Sequence, residues 1–349
     1  MLIKEFRGVD FINRDREIEF FLNYFKQNPE RILWVYGPKS TGKTTLIEYI
    51  IENNLLKDKS YNVKYISLRR KMIANYDNFI DAFIKPESEH NFFKDVKLTV
   101  DLKFIKIDSK LYERIKQKEY DFFEAMEDQF WDLSKSKKNI LIIDEIQTLK
   151  EIYMDGGKLL LNEFLNFCIS LTKELHVSHV LILTSNTIFL SEIYNNAKMK
   201  VTSDFKLIDH LGYEDIKTWL ISKKDLGFRG EDIELIYEYL GGSMAHIKKL
   251  LDFRKEHDSL QEQLEEMVEI AENEIDFFIQ TSKLSREDID KFKFVAKQII
   301  ENGYFNNKRY KGYIDIVSKF TEVEILFFDP IKNITTANNR IYEKAFERL

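Results

Sequence analysis

Eight consecutive residues near the start of the chain have the types and spacing that bind polyphosphate. They are Gly37, Pro38, Lys39, Ser40, Thr41, Gly42, Lys43 and Thr44, which follow the pattern G-x-x-x-x-G-K-[ST]. Glycines let backbone N–H groups curl around phosphate oxygens, and the N-terminus of a following helix adds unpaired donors. We expect this loop and Thr45 to bind a nucleoside triphosphate. Lys43 would reach the β- and γ-phosphates as a catalytic residue, and the Thr44 hydroxyl would bind magnesium. A chance glycine-rich turn is the alternative.

An acid pair follows a continuous apolar run, because residues 140–143 lead directly into Asp144 and Glu145. Ligands of open α/β sheets bind at the carboxyl ends of the strands, where buried carboxylates are costly unless a cation or donor meets them. We expect Asp144 to bind magnesium, directly or through water, and Glu145 to orient and deprotonate the attacking water. Since a small-molecule kinase must exclude water, this pair favours hydrolysis. The alternative is a strand that exits into solvent at an acidic turn.

A second apolar run, residues 179–184, ends in the polar residues Ser185 and Asn186. The side chain of Ser185 or Asn186 is expected to hydrogen-bond the γ-phosphate or the attacking water, and we assign Asn186 a catalytic role. Because Ser and Asn are also common helix caps, capping is the alternative.

The segment before the first predicted helix supplies candidate contacts to the base of the nucleotide. Phe11 and Ile12 would pack on an adenine, Asn13 would cap the helix, and we assign Phe11, Asn13 and Arg14 to nucleotide binding. The alternative is the ordinary capped start of an amphipathic helix.

These candidate residues require a parallel sheet to bring them together. Strands are predicted at 31–36, 62–68, 139–143 and 179–184, where apolar runs alternate with helical patterns. Such continuous runs indicate strands that are covered on both faces. We assign residues 1–208 to an α/β P-loop NTPase core, a parallel sheet flanked by helices. Alternation from Val96 to Leu102 predicts an added antiparallel strand or hairpin.

The rest of the chain changes character. Helical spacing dominates residues 209–280, which we assign to a helical lid domain interrupted by Gly241-Gly242. Residues 281–349 show the order helix, helix, hairpin, helix, which is typical of a winged-helix domain. Residues 329–334 would form the tip of the wing, and a final helix would begin near Asn339.

Composition and charge exclude several classes of protein. The 349 residues are too many for one ordinary core and contain no run of 18 apolar residues, so we expect two or three domains and no membrane-spanning helix. The charged N-terminus is unlike a secretory signal, and the lone Cys168 is expected to be buried. We therefore predict a cytoplasmic protein. Residues 209–280 carry 8 basic and 18 acidic side chains, whereas residues 281–349 carry 13 and 10. The whole chain lacks the basic character of a nucleic-acid binder.

Together these motifs resemble the archaeal ATPase family, within the STAND branch of the AAA+ P-loop NTPases. The resemblance rests on segments 11–17, 37–44, 141–147, 183–186, 325–330 and 339–346 and on the Gly-Gly turn at 241–242. It implies an ATPase core, a helical lid and a C-terminal winged helix, with ATP and Mg²⁺ as ligands. It also implies an ATP-driven conformational switch. We expect ATP to lock the lid and the winged helix onto the core and hydrolysis to release them.

Two positions depart from the pattern of that family. Met244 replaces the proline that usually follows the Gly-Gly turn, and residues 195–198 replace a Gly-Arg pair, so no arginine finger is apparent there. Lys198 or Lys200 is a candidate substitute, although a point charge matches a phosphate less well than a guanidinium fork does.

The switch interpretation implies a protein partner that the sequence does not identify. The alternative function is an ATP-regulated DNA-binding protein similar to archaeal replication initiators, which would use the basic segment 308–319. We favour instead a solvated face, on a module that packs against the core or a partner. A third interpretation is a nucleotide-binding scaffold with negligible turnover, against which Glu145 argues.

Overall fold

The structure, a computed structural model, describes residues 3–70, 73–86, 105–154, 156–253 and 259–349. The strand predicted from Val96 to Leu102 lies outside these residues. The strands are β1 (Lys4–Phe6), β2 (Val9–Phe11), β3 (Ile32–Tyr36), β4 (Tyr61–Ser67), β5 (Ile84–Pro86), β6 (Ile105–Ile107), β7 (Lys138–Asp144), β8 (Ser178–Thr184), β9 (Ser203–Leu207), β10 (Phe305–Asn306), β11 (Leu326–Asp329) and β12 (Ile334–Ala337).

The helices fall into three groups along the chain. Those of the first 208 residues are α1 (Asp15–Lys26), α2 (Lys43–Ile50), α3 (Tyr76–Phe83), α4 (Ser109–Lys116), α5 (Phe122–Ser134), α6 (Leu160–Ile169), α7 (Thr187–Asn195) and α8 (Ala197–Thr202). The predicted lid contains α9 (Tyr213–Ser222), α10 (Gly230–Leu240), α11 (Met244–Asp252) and α12 (Leu260–Thr281). The last segment contains α13 (Arg286–Asn302), α14 (Ile314–Glu322) and α15 (Arg340–Phe346).

A five-stranded parallel sheet forms the centre of the first segment, with the strand order β4-β7-β8-β3-β9. The four predicted strands are confirmed as β3, β4, β7 and β8, and the core is a parallel sheet flanked by helices, as expected. Strand β9 was not predicted. It lies at the edge of the sheet, and its sequence Ser-Asp-Phe-Lys-Leu lacks the continuous apolar run of a strand covered on both faces.

The register of the sheet brings the carboxyl ends of its strands to one level. Tyr36 at the end of β3 lies opposite Thr184 at the end of β8, and Asp144 at the end of β7 lies opposite Ser67 and Leu183. Side chains that follow the ends of β3, β4, β7 and β8 therefore share one edge of the sheet.

Apolar side chains cover both faces of this sheet. Alternate residues of β3 enter opposite cores, since Trp34 belongs to the same apolar cluster as Phe79 and Phe164 whereas Val35 belongs to the cluster that contains Phe21. Each of these side chains is almost completely buried. The sheet is thus a rigid support for the loops at its carboxyl edge.

The lid helices and the last segment share a second core. Leu264 and Ile275 of α12 belong to the same cluster as Phe292, Phe320 and Phe346, and the Phe292 and Phe320 rings stack with centroids 3.7 Å apart. The proposed boundary at 280/281 therefore crosses a continuous apolar core, and it remains a prediction.

The C-terminal module, residues 281–349, packs directly on the core of the first segment. Its strands form an antiparallel sheet in the order β10-β12-β11, and the predicted hairpin is the turn between β11 and β12. Phe327 and Ile331 contact the core cluster, and Asp329 accepts a hydrogen bond of 3.1 Å from the Tyr36 hydroxyl. The predicted wing tip therefore faces the core. Naming this module a winged helix remains a prediction.

The structure bears on two expectations from composition, the burial of Cys168 and the absence of a membrane-spanning helix. The Cys168 side chain is completely buried, as expected. Among the described residues, no helix combines the length and the apolar character needed to cross a membrane.

Candidate phosphate-binding site

The loop between β3 and α2 depends on glycine at its first position. Gly37 has φ +152°, and a Cβ atom there would lie 2.0 Å from the carbonyl oxygen of Ile208. Ile208 in turn donates its backbone N–H to the Tyr36 carbonyl at 2.7 Å, so this approach is fixed by the end of the sheet. Gly42 adopts the left-handed conformation, with φ +84°, immediately before α2 begins. The sequence pattern therefore has its expected structural context, a strand, a loop and a helix.

The Lys43 ammonium group is buried inside the loop. It donates hydrogen bonds to the carbonyl oxygens of Gly37 at 2.9 Å and Pro38 at 2.8 Å, and the residue is 8% exposed. Burial lowers the pKa of Lys43 to about 8, although the charges of Glu145 and Asp144 act in the opposite direction. Because the buried ammonium is poorly solvated, binding of an anion such as a phosphate beside it is favourable.

Asp144 lies beside Thr44 at the end of β7. The Thr44 hydroxyl is 3.4 Å from Oδ2 of Asp144, and the Tyr65 hydroxyl donates to the same oxygen at 3.1 Å. Asp144 is 7% exposed, and burial raises its pKa while the hydrogen bond from Tyr65 lowers it. A buried carboxylate and an adjacent hydroxyl are the hard oxygen ligands that Mg²⁺ prefers, so these residues fit that ion.

Glu145 is the first residue after β7, and its backbone adopts the left-handed conformation at φ +65°. Oε1 of Glu145 accepts a hydrogen bond of 2.7 Å from Arg69, and Oε2 accepts one from the Gln147 side chain. Burial raises the pKa of Glu145, and the charge of Arg69 opposes that effect. Its carboxylate is thus held by side chains from two different loops at this edge of the sheet.

The strand β8 is connected to this carboxylate through Thr184. The Thr184 hydroxyl lies 3.3 Å from the side-chain oxygen of Gln147 and accepts the backbone N–H of Asn186 at 3.0 Å. The side-chain oxygen of Asn186 accepts the backbone N–H of Phe189 at 2.9 Å and caps α7. Asn186 therefore has the capping role that was the alternative, and its catalytic role remains a prediction.

The N-terminal segment joins the phosphate loop to the lid. Arg14 is 8% exposed and donates to the carbonyl oxygens of Thr41 and Asp209, both at 2.8 Å. Asn13 was expected to cap α1, which is wrong, because the cap position is Arg14 and the Asn13 side chain donates to Asp215 of the lid. The side-chain N–H of Asn13 thus donates to a carboxylate of the lid, which is a charge-assisted hydrogen bond, and its side chain forms no cap on α1.

A cavity of about 250 Å³ lies between this segment, the phosphate loop and α11. Its walls include Phe11, Ile12 and Arg14, the loop residues Ser40 to Gly42 and Thr45, and the lid residues Met244, Ala245 and Lys248. The Phe11 ring itself stacks on Tyr49 with centroids 4.2 Å apart, which fixes one wall. Met244, at the position that departs from the family pattern, also lines the cavity.

Several side chains of this site were not predicted from the sequence. They are Tyr65, Arg69, Gln147 and Thr184, together with Glu324 of the C-terminal module, which forms an ion pair of 2.9 Å with Lys39 of the loop. Arg69 follows β4 at the level of Glu145, so the rule that ligands gather at strand ends would have found it. No local pattern indicates Glu324, because its contact depends on how the module docks.

The two lysines that were candidate substitutes for an arginine finger contact other groups. Lys198 donates to the Asn166 side chain at 2.7 Å, and the Lys200 ammonium lies 5.8 Å from the centre of the Tyr194 ring. Arg69 is instead a cation whose charge acts on Lys43, Asp144 and Glu145 together.

Comparison with known proteins gives a consistent assignment. A family model described as an ATPase domain predominantly from Archaea matches residues 11–250. An uncharacterized ATP-binding protein of Methanocaldococcus jannaschii is 33% identical over 334 residues, covering 93% of this chain and 94% of the relative. A second such protein from the same organism is 31% identical over 349 residues, covering 97% of each chain.

Solved structures give a weaker likeness. The ORC2 protein of Aeropyrum pernix is 13% identical, with a TM-score of 0.47. The alignment covers 100% of this chain and 95% of that protein's chain. A likeness at this level identifies neither an activity nor a partner.

Proposed function

The chain belongs to the family of ATPase domains found predominantly in Archaea, and from this premise we propose that it binds ATP with magnesium and hydrolyses it. The observation that carries the proposal is the meeting of three groups at one edge of the sheet. They are the buried Lys43 ammonium, the Thr44–Asp144 oxygen pair and the Glu145 carboxylate. The family membership and the ATP-binding relatives support the choice of nucleotide.

Each residue has a role that follows from its surroundings. The loop amides and Lys43 bind the β- and γ-phosphates, for which the Lys43 ammonium exchanges its two carbonyl acceptors. Thr44 and Asp144 hold magnesium, which, when bound, neutralises phosphate charge. Glu145 accepts a proton from the attacking water as that water bonds to the γ-phosphorus. The bond from phosphorus to the β,γ-bridging oxygen breaks, and ADP and phosphate leave.

The base of the nucleotide has a natural place in the cavity beside Phe11. That cavity opens between the phosphate loop and α11, so a nucleotide whose phosphates lie in the loop would place its base against Ile12 and Met244. The lid would then contact nucleotide directly through α11. Arg14, which bonds the loop at Thr41 and the lid linker at Asp209, would hold the two sides of the site together.

We further propose that hydrolysis controls the docking of the C-terminal module, in the manner of a switch read by a protein partner. Glu324 of the module pairs with Lys39 in the phosphate loop, and Asp329 accepts from Tyr36, the residue just before the loop. Helix α14 and strand β11 pack against α7, which follows β8. The module therefore contacts both the phosphate loop and the helix that follows β8.

Binding of DNA by the module is the second candidate function. Lys308, Arg309 and Lys311 are exposed in the loop before α14, which favours it. However, Lys319 pairs with Asp288, and Tyr310, which lies between Arg309 and Lys311 in the sequence, packs on the Phe305 ring with centroids 5.1 Å apart. Helix α14 also lies against α7, so part of its surface is covered by the core. We therefore favour a protein partner.

The experiment that tests the proposed function is magnesium-dependent ATP turnover with and without duplex DNA. It compares the wild type with Glu145→Gln, Lys43→Ala and the control Lys57→Ala, an exposed lysine that contacts Asn53. We expect turnover by the wild type and by Lys57→Ala. We expect Glu145→Gln to bind ATP without turnover, and Lys43→Ala to bind it weakly.

The same measurement separates the candidate functions. Turnover that DNA stimulates would favour the DNA-binding function over a protein-directed switch. A wild type that binds ATP but turns over no faster than Glu145→Gln would refute the hydrolytic mechanism and leave a nucleotide-gated scaffold.

A further inference from the structure

One cation at the site has no role in the function proposed above. Arg69 lies in the single turn of 3₁₀-helix, Leu68–Arg70, that follows β4, and its guanidinium donates to Oε1 of Glu145 at 2.7 Å. The Arg69 side chain is 61% exposed, whereas that of Glu145 is 12% exposed. A positive group therefore stands at the solvent side of the proposed base.

The charge of Arg69 also acts on the other candidate residues of the site. Its electrostatic effect reaches Lys43 and Asp144 as well as Glu145. These three residues surround the place where the γ-phosphate must lie if Lys43 and Thr44 hold the phosphates and Glu145 faces the water. The guanidinium is thus already within electrostatic range of the group that reacts.

Breaking the ion pair between Arg69 and Glu145 costs little free energy on the side of Arg69. Water screens this ion pair on the side of Arg69, because that side chain is 61% exposed. A guanidinium fork forms two parallel hydrogen bonds to phosphate oxygens, which a lysine does not. Exchange of a carboxylate for a phosphate that gains negative charge during reaction is therefore favourable.

We propose that Arg69 contacts the γ-phosphate of ATP during hydrolysis and supplies, in cis, the positive charge that an arginine finger supplies in other nucleotide hydrolases. This inference rests on the proposed function. As the water oxygen bonds to phosphorus and Glu145 takes the proton, charge builds on the phosphoryl oxygens and on the departing ADP, and Arg69 stabilises it. Turnover then needs no arginine from a second chain.

The test compares Arg69→Ala and Arg69→Lys with a matched control. The control is Arg31→Ala, since the Arg31 side chain is 53% exposed and pairs with Asp204 at 3.0 Å. Arg31 precedes β3 and therefore lies at the opposite edge of the sheet from the phosphate loop. We expect Arg69→Ala to lower kcat by about 10³-fold, the lower end of the effect of an arginine finger. We expect ATP affinity to change by less than about threefold. Arg69→Lys should retain part of the rate, millimolar guanidinium should partly restore Arg69→Ala, and Arg31→Ala should match the wild type.

A second measurement asks whether Arg69 acts only through Glu145. Binding of ADP with aluminium fluoride, which mimics the transferring phosphoryl group, is compared between Glu145→Gln and the double variant Glu145→Gln/Arg69→Ala. Direct contact predicts that the double variant binds this complex more weakly, on the order of tenfold, with affinity for ADP alone unchanged. Equal binding would show that Arg69 acts through Glu145 and would overturn the proposal.

The outcomes distinguish this inference from the proposed function. If the wild type turns over and Arg69→Ala is as fast or faster, the inference fails and the hydrolytic function stands. A faster variant would identify Arg69 as a restraint on Glu145. If the wild type turns over no faster than Glu145→Gln, the proposed function fails, and the role of Arg69 fails with it.

Discussion

Removing the charge of Glu324 should tighten the binding of ATP. Glu324 belongs to the C-terminal module, yet its carboxylate lies 2.9 Å from the ammonium of Lys39 in the phosphate loop, and its charge raises the pKa of the buried Lys43. A triphosphate must compete with this carboxylate for Lys39 and must accept its repulsion. The perturbation is Glu324→Gln, which keeps the shape of the side chain and removes its charge.

The magnitude follows from the exposure of the pair. The Lys39 and Glu324 side chains are 52% and 42% exposed, so the pair has the strength of a surface ion pair. Such pairs contribute about 0.2–1 kcal/mol, which corresponds to a gain in ATP affinity of about 1.4- to 5-fold. ADP should gain less, because it lacks the γ-phosphate and its charge.

The assay is a titration with ATP and with ADP in magnesium, at low salt and at about 1 M salt, where the Debye length is only about 3 Å. Glu301→Gln is the control, since Glu301 lies on α13 of the same module and pairs with Lys297 on its own helix. The gain of Glu324→Gln should shrink at high salt, and Glu301→Gln should bind like the wild type.

Two results would contradict this reasoning. Equal ATP affinity for Glu324→Gln and the wild type would mean that the ion pair with Lys39 does not compete with phosphate. Weaker binding would mean that the docked module assists ATP, as expected from the sequence. The predicted gain would support the opposite order, in which the triphosphate disfavours the docked module and hydrolysis allows it to return.

Three further predictions concern stability and reactivity. Burial lowers the pKa of His179 to about 4, so below pH 6.5 the unfolded chain takes up a proton that the folded chain does not. His179 alone should lower the free energy of unfolding by about 2 kcal/mol by pH 5, and in urea titrations His179→Gln should show a correspondingly smaller fall than the wild type, whereas the exposed His176→Gln should match the wild type. Gly37→Ala, whose Cβ would meet a backbone carbonyl oxygen, should lose about 3 kcal/mol or more of unfolding free energy, against about 1 kcal/mol for Gly42→Ala, which has open space; equal losses would contradict this. Because Cys168 is completely buried and burial raises the pKa of its thiol, it should react with a thiol reagent only after denaturation, and rapid labelling of the folded chain would refute that.

The elements that the sequence predicted well are those whose pattern is local. Strands β3, β7 and β8 are covered on both faces, so their residues form continuous apolar runs, and each is followed by polar residues of the site. The phosphate loop is equally local, because one glycine must avoid Ile208 and another must begin a helix. These features predicted most of the candidate site.

Contacts between distant segments could not be predicted in the same way. Asn13 has the residue type of a helix cap, but its side chain bonds Asp215, 202 residues further along the chain. Asn186 shows the reverse, since a residue expected to face the phosphate has its oxygen engaged in capping α7. In both cases the residue type allows two partners of similar energy, and tertiary packing decides between them.

The phosphate loop is where the three parts of the chain meet, which argues for its role as the sensor of the proposed switch. Arg14 bonds the loop at Thr41 and the start of the lid at Asp209, while Lys39 of the same loop pairs with Glu324 of the C-terminal module. The lid and the module also share one apolar core, so they are expected to move together rather than separately. A change of charge at the phosphate loop therefore acts on one body, formed by the lid and the module, through its contacts at Asp209 and Glu324. The Lys39 contact is exposed and weak whereas the Arg14 contacts are buried, so we expect the body formed by the lid and the module to separate from the loop at Glu324 first and to remain attached through the lid at Asp209.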